Sequence, residues 1–218
     1  MENYNLNTVG EAQKTNKEKI FEVSIKLFAM KGFSDVSVRD IATEVGIKAS
    51  SIYNHFQSKD EILESIFQYF VTRLEVAVYT ELNQEVLFET IQPEAFFYQN
   101  VQTTMNLMRS PLMQEIITII RREQFTNQRI RKFLLQEMIQ RPRENFEKLF
   151  AKLIEHKLIK PLDPKILAKE YQAFSIYQYY ENSILIDTGP VDLDQDERDQ
   201  KEHIRFFWDA IKIIDKEV

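Results

Sequence analysis

The chain has 218 residues, a net charge of −6 and no cysteine. The missing cysteines exclude disulfides and thiolate metal sites, and the acidic balance argues against a surface that coats nucleic acid indiscriminately, while leaving a local patch open. A hydrophobic content of 44% suffices for a sizeable core.

Four glycines and six prolines are few for this length. Scarce breakers favour long helices, and the sequence offers no Asn-Gly or Asp-Gly hairpin and no sustained alternation. The expected fold class is all-α. No window approaches eighteen consecutive apolar residues, so no membrane partner is expected. The first thirteen residues, MENYNLNTVGEAQ, read as a flexible N-terminal tail. They lack the basic start and apolar centre of a signal peptide, and the expected location is the cytoplasm.

In chain order, TNKEKIFEVSIKLFAMKGF comes first. Ile20, Phe21, Val23, Ile25, Leu27 and Phe28 populate more than one helical face, the pattern of a central strut. Thr15 or Asn16 can cap its start and Gly32 its end. In SVRDIATEVG, Ser37 is a natural N-cap with Asp40 three residues on. Val38, Ile41, Ala42 and Val45 form one buried stripe, and Gly46 supplies a left-handed stop. A short helix is predicted from Lys48 to about Phe56. Ser58 and Glu61 then form a capping box for a long helix from about Lys59 to Leu82. Further on, Pro93, Pro111, Pro142, Pro161, Pro164 and Pro190 punctuate helical segments. Asp163-Pro164 pairs an N-cap with a proline at the first helical position. Residues 187–200, DTGPVDLDQDERDQ, read as a loop, with a last helix from about Asp196 to Lys216. Twenty of the twenty-six aromatic residues follow residue 64, so the back of the chain is aromatic-rich.

Two helices around a tight glycine turn, with a third before them, is a helix-turn-helix layout. In GIKASSIYNHF, Ile52 and Phe56 lie four apart and can anchor inward. Ala49, Ser50, Tyr53 and Asn54 share the opposite face. Small residues there permit close approach to base edges in a major groove, and Tyr53 and Asn54 offer hydrogen bonds. Residues 14–61 hold eight Lys/Arg against seven Asp/Glu, so the front is less acidic than the rest. The helix starts at Ser37 and Ser58 can present backbone N–H groups to phosphate.

At this point VSVRDIATEVGIKASSIYNHFQSKDEIL, with the preceding IFEVSIKLFAMKGF, resembles the DNA-binding signature of the TetR family of bacterial transcriptional regulators. The resemblance covers roughly residues 15–64. It implies that Lys48, Ala49, Ser50, Ser51 and Asn54 sit in or beside the groove, with Ser37, Arg39, Tyr53, His55 and Lys59 near phosphates. Many members carry a glycine or basic residue about where Ala49 and Ser50 stand, so the operator sequence does not transfer. The resemblance further implies a homodimer on a near-palindromic double-stranded DNA operator, with a small-molecule effector pocket in each back domain. Repression is that family's usual mode. The domain reading is a helix-turn-helix unit at 14–60 and an all-helical effector-binding and dimerisation domain at 61–218.

Aromatic and Met residues on the middle helices are the candidate pocket walls: Phe67, Phe70, Phe97, Met105, Met108, Ile116, Ile120, Phe174 and Tyr177. The same spacing also suits plain core. The stretches 165–186 and 203–214 carry broad apolar stripes. Tyr171, Tyr180, Ile204, Phe207, Trp208 and Ile211 are the candidate dimer interface, with the protomer's own core as the alternative. Arg121, Arg122 and Glu123 end an apolar helix, as a salt-bridged hinge or a solvated face. The helix from Lys59 is the expected mechanical link between the two parts.

No catalytic residues or cofactors are expected. His55, His156 and His203 lack metal-ligand spacing, and no glycine-rich phosphate loop or nucleophile elbow is present. The rival to a ligand-switched repressor is a module of the same fold that binds DNA or protein without small-molecule switching.

Overall fold

A computed structural model of the chain describes residues 14–79, 93–184 and 191–213. Among these residues the only non-helical pairing is an isolated bridge between Ile159 and Lys212. The expected N-terminal tail and the far end of the helix from Lys59 lie outside the described residues.

Helix α1 spans Asn16–Lys31. Thr15 caps it, and the Glu18 carboxylate returns to the Thr15 N–H in a full capping box. It buries Ile20, Phe21, Ser24, Ile25, Leu27, Phe28 and Ala29, which matches the central strut that the sequence predicts. Helix α2, Val38–Val45, starts on a reciprocal Ser37–Asp40 box and stops at Gly46, whose φ of 79° and ψ of 33° place it in the left-handed region. Helix α3, Ala49–Ile52, is a single turn. Its hydrogen bonding runs on through His55 N and Phe56 N, both donating to Ile52 O, so the expected recognition segment is shorter as regular helix than its spacing suggested. Helix α4, Lys59–Tyr79, begins with Glu61 N donating to the Ser58 hydroxyl at 3.1 Å. The Glu61 carboxylate accepts from Gln57 N, one residue before the position a capping box uses.

The rest is α5 (Pro93–Met108), α6 (Pro111–Glu123), α7 (Gln128–Phe133), a π-helical turn (Leu134–Gln140), α8 (Arg141–Glu155), α9 (Pro164–Ile184) and α10 (Leu193–Ile211). Three of these helices, α5, α6 and α9, open on a proline, which has no N–H to leave orphaned. Helix α10 starts inside the stretch predicted as loop, because Asp192 accepts from the N–H groups of Asp194 and Gln195. Acidic first-turn residues there read as a loop by composition, yet they suit a helix N-terminus.

The buried apolar residues form two clusters. The first joins α1–α4 to α6, α7 and the start of the π-turn, with Phe67 stacked on Phe133 at 4.3 Å. The second joins α5, α8, α9 and α10 around Phe97, Phe150, Tyr171 and Trp208. The first core therefore crosses the 60/61 line of the domain reading: Met113, Ile116, Ile117, Ile119 and Ile120 of α6 pack with the helix-turn-helix residues. At about 1.5–3 kcal/mol for each large side chain fully buried, this seam fastens the two parts together.

Candidate functional site

The front unit sorts its recognition segment by face. Ile52 and Phe56 are buried, while Lys48, Ser50, Tyr53 and Asn54 are exposed. Ala49 and Ser51 are half-buried, and Ala49 packs against the core. Among the candidate phosphate contacts, Arg39 and Tyr53 are exposed and His55 is half-buried. Ser37 is exposed, but its hydroxyl donates to Asp40 Oδ2 at 2.6 Å and accepts from Asp40 N. The Ser37 hydroxyl and then its backbone N–H hold the Asp40 carboxyl below its ordinary range.

Lys59 is placed differently from the expectation. Its ammonium turns inward, donating to Phe33 O at 2.6 Å and Val36 O at 2.7 Å, and it lies 4.3 Å from the centre of the Phe33 ring. It ties the α1–α2 connection to the start of α4.

Behind this unit lies a cavity of about 290 Å³. It is lined from α4 by Val71, Leu74 and Glu75, from α5 by Val101, Met105 and Met108, and from α6 by Ile117 and Arg121. The π-turn, α8, α9 and α10 complete it. Of the nine candidate pocket residues, Met105 and Met108 line it. Phe67 faces a separate cleft shared by α4 and α7. Phe70, Phe97, Ile116 and Ile120 are fully enclosed core. Phe174 and Tyr177 point the other way, on the outer side of α9, where Phe174 stacks on His203 at 4.7 Å. Large rings on an apolar stripe fill the core first, and the space they leave is edged by thinner and more polar side chains.

The π-turn shapes one wall. Arg141 N donates to Gln136 O, five residues back, and Pro142 has no N–H to give. Gln172 of α9 braces the turn: its Nε2 donates to Ile139 O at 2.9 Å, and its Oε1 accepts from Arg143 Nε at 3.1 Å. Such turns recur at functional sites, and Leu134, Glu137, Met138 and Ile139 all border the cavity.

Three consecutive residues link cavity and front unit. Arg121 lines the cavity. Arg122 Nη1 donates to Ala29 O at 2.7 Å, at the end of α1. The buried Glu123 Oε1 accepts from Phe33 N at 2.9 Å. It also sits where a Cβ on Gly32 would come within 3.1 Å, and Gly32 has φ +88°. Arg122 and Glu123 thus form side-chain-to-backbone clamps, on the end of α1 and on Phe33 just after it, in place of a salt-bridged hinge or a solvated face. The α4 helix runs from the front unit into the cavity wall.

The candidate dimer residues need correction. Ile204 is 1% exposed and Trp208 8%. With Tyr171, Phe207 and Ile211 they fill the second core, so a second copy cannot reach them. Tyr180 alone of the six is exposed. The outward stripe of α9 is instead Ile166, Ala173, Tyr177, Tyr180 and Ile184, with Phe206 on α10. Tyr177 is 59% exposed, Ile184 81% and Phe206 76%.

The chain is thus a helix-turn-helix clamped to a helical domain that borders a cavity. Residues 20–70 match the family model described as bacterial regulatory proteins, tetR family. The HTH-type transcriptional regulator YerO of Bacillus subtilis (strain 168) is 44% identical over 55 residues, which cover 25% of this chain and 19% of YerO. The biofilm operon icaADBC negative transcriptional regulator IcaR of Staphylococcus epidermidis is 39% identical over 59 residues, 25% of this chain and 32% of IcaR. The chain thus spans 19% and 32% of those two relatives' lengths. Among solved structures, the SmeT–triclosan complex has a TM-score of 0.68 at 17% identity, over 94% of this chain and 95% of SmeT. SmeT is described as the repressor of the Stenotrophomonas maltophilia multidrug efflux pump SmeDEF. A TetR-family regulator from Pseudomonas syringae pv. tomato has a TM-score of 0.67 at 18% identity, over 94% of this chain and 100% of its own. Residues 20–70 thus resemble the tetR-family regulatory proteins, and the chain carries the fold of solved TetR-family regulators. Among the described residues, no helix is long and apolar enough to cross a membrane.

Proposed function

We propose that this chain is a sequence-specific transcriptional repressor, acting in the cytoplasm as a homodimer that a small-molecule effector releases from a near-palindromic operator. The observation that carries the reading is the sorted recognition segment: Lys48, Ser50, Tyr53 and Asn54 are exposed above the buried anchors Ile52 and Phe56. Lys48, Ala49, Ser50, Ser51 and Asn54 are assigned to the groove, with Arg39, Tyr53 and His55 at the backbone. Lys59 is assigned a structural role. The roles that the names of IcaR and SmeT carry, negative regulation and repression, agree with this assignment. No catalytic role is assigned to any residue.

Release follows from a population shift: an effector in the cavity must bind the arrangement that does not fit DNA better than the one that does. Both α4, which crosses from the front unit to the cavity, and α6, through Arg122 and Glu123, couple cavity shape to the angle of α1–α3. The outward faces of α9 and α10 join the two copies.

The test is selection from a random duplex pool with the purified protein. The reading expects a two-fold symmetric motif whose half-sites lie about one helical turn, or a multiple of it, apart. A folded protein that enriches no motif, with or without added ligands, would refute it.

A further inference from the structure

Several of the cavity's polar groups are held by one another. Glu75 and Glu137 both hold Arg141. Gln178, Gln200 and Ser175 bond one another, with Gln200 Nε2 donating to Gln178 Oε1 at 2.7 Å and the Ser175 hydroxyl to Gln200 Oε1. Gln172 is committed to the π-turn. Asp196 accepts from Asn182 Nδ2 at 2.7 Å. Arg121 is different. Its Nε is buried without a hydrogen-bond partner, its guanidinium lies 5.6 Å from the centre of the Tyr179 ring, and among the described residues it forms no direct ion pair, Asp196 acting on it only at longer range.

We infer that the cavity takes an amphipathic monocarboxylate, its anionic head on Arg121 and its apolar body along Met105, Ile117, Leu134, Phe146 and Ile176. The inference rests on reading the cavity as the effector site. A guanidinium stays charged in proteins and presents a planar fork that matches a carboxylate. Leaving such a charge without a partner costs free energy that a carboxylate returns through charge-assisted hydrogen bonds. Burial pushes the Arg121 pKa down and that of Asp196 up. Asp196 attracts Arg121 at longer range while it is itself held by Asn182, so the guanidinium has no directly bonded anion and its buried Nε is left to a ligand. The volume, just below the range of drug-sized pockets, suits a small ligand. Arg121 also adjoins the Arg122 and Glu123 clamps, so an anion drawn to it pulls on the end of α6 that holds α1.

The experiment titrates the full-length chain with octanoate, 1-octanol and octylammonium, followed by calorimetry, and repeats this with Arg121→Gln and Arg121→Lys after circular dichroism shows that both fold. The wild type should bind octanoate about tenfold or more tightly than 1-octanol, and octylammonium most weakly. Arg121→Gln should lose that preference while keeping its affinity for the alcohol, and Arg121→Lys should keep part of it. If 1-octanol or octylammonium binds the wild type as well as octanoate, or if Arg121→Gln keeps the preference, the carboxylate assignment is wrong while the cavity remains a ligand site. If none of the three binds, the cavity reading itself falls, and the assignment with it.

Discussion

Glu123→Ala is the substitution that tests the join between cavity and DNA unit. The carboxylate is buried, its Oε1 accepts from Phe33 N at 2.9 Å, and its Oε2 lies 3.4 Å from the Thr126 hydroxyl. Alanine removes the acceptor and leaves the Phe33 N–H without the partner it has in the wild type. Losing one hydrogen bond to a charged group, with a buried donor left unsatisfied, costs about 2–3 kcal/mol. Total stabilities of roughly 5–15 kcal/mol leave the variant folded. For a chain of this size the loss corresponds to a fall in Tm of about 4–12 °C. Glu123→Gln keeps an acceptor oxygen and should lose about 1 kcal/mol. The assay is thermal unfolding by circular dichroism, paired with amide exchange on a peptide containing Phe33. Glu123→Ala should lose protection there, while the α9–α10 peptides stay protected. An unchanged Tm, or unchanged protection at Phe33, would refute the clamp.

Replacing Asn54 with alanine should narrow the gap between selected and scrambled duplexes by about 1–3 kcal/mol, whereas Arg39→Ala should weaken both alike and lower the salt slope by about 1 per protomer; fluorescence anisotropy separates the two. Glutamate at both Tyr177 and Phe206 should give a folded monomer in sedimentation, because these side chains face outward. Trp208→Ala should instead cost about 3–5 kcal/mol of stability, because its ring is core. The His203 ring, stacked on Phe174 and half-buried, has its pKa lowered by burial, against a smaller opposing effect of the Tyr171 carbonyl. Its folded form binds fewer protons than the unfolded form. The wild type should therefore lose stability as pH falls below about 6.5, and denaturant titrations of His203→Gln should show a shallower loss over the same interval.

The front unit was readable because its determinants are local. Ser37 with Asp40, Gly46, and the Ile52–Phe56 pair act within a turn of their own positions, and the structure places each where the spacing put it. The back half depends on which of two apolar faces meets the protomer's own core. On α9, Leu167 and Tyr171 turn inward while Tyr177 and Ile184 turn outward. All are large and apolar, so periodicity supplied the faces without their destinations. The cavity escaped for a related reason: the sequence marks its largest rings, and those fill space rather than border it. The π-turn left only Pro142 as a trace, and the pairing of Gln172 with Ile139 spans 33 residues. Arg121, Arg122 and Glu123 read as one charged run, yet they go to the cavity, the end of α1 and the Phe33 N–H.

The central claim, that the exposed face of the recognition segment reads DNA sequence, is tested most directly by measuring affinity for a selected palindromic duplex and a scrambled one across a salt series. A dimer neutralising about six phosphates predicts a linear fall of log K against log salt with a slope of about −5. The selected duplex should be preferred by about 10³-fold or more throughout. Equal affinity for both duplexes, with a shallow slope, would contradict the account and leave a helix-turn-helix that serves protein contacts.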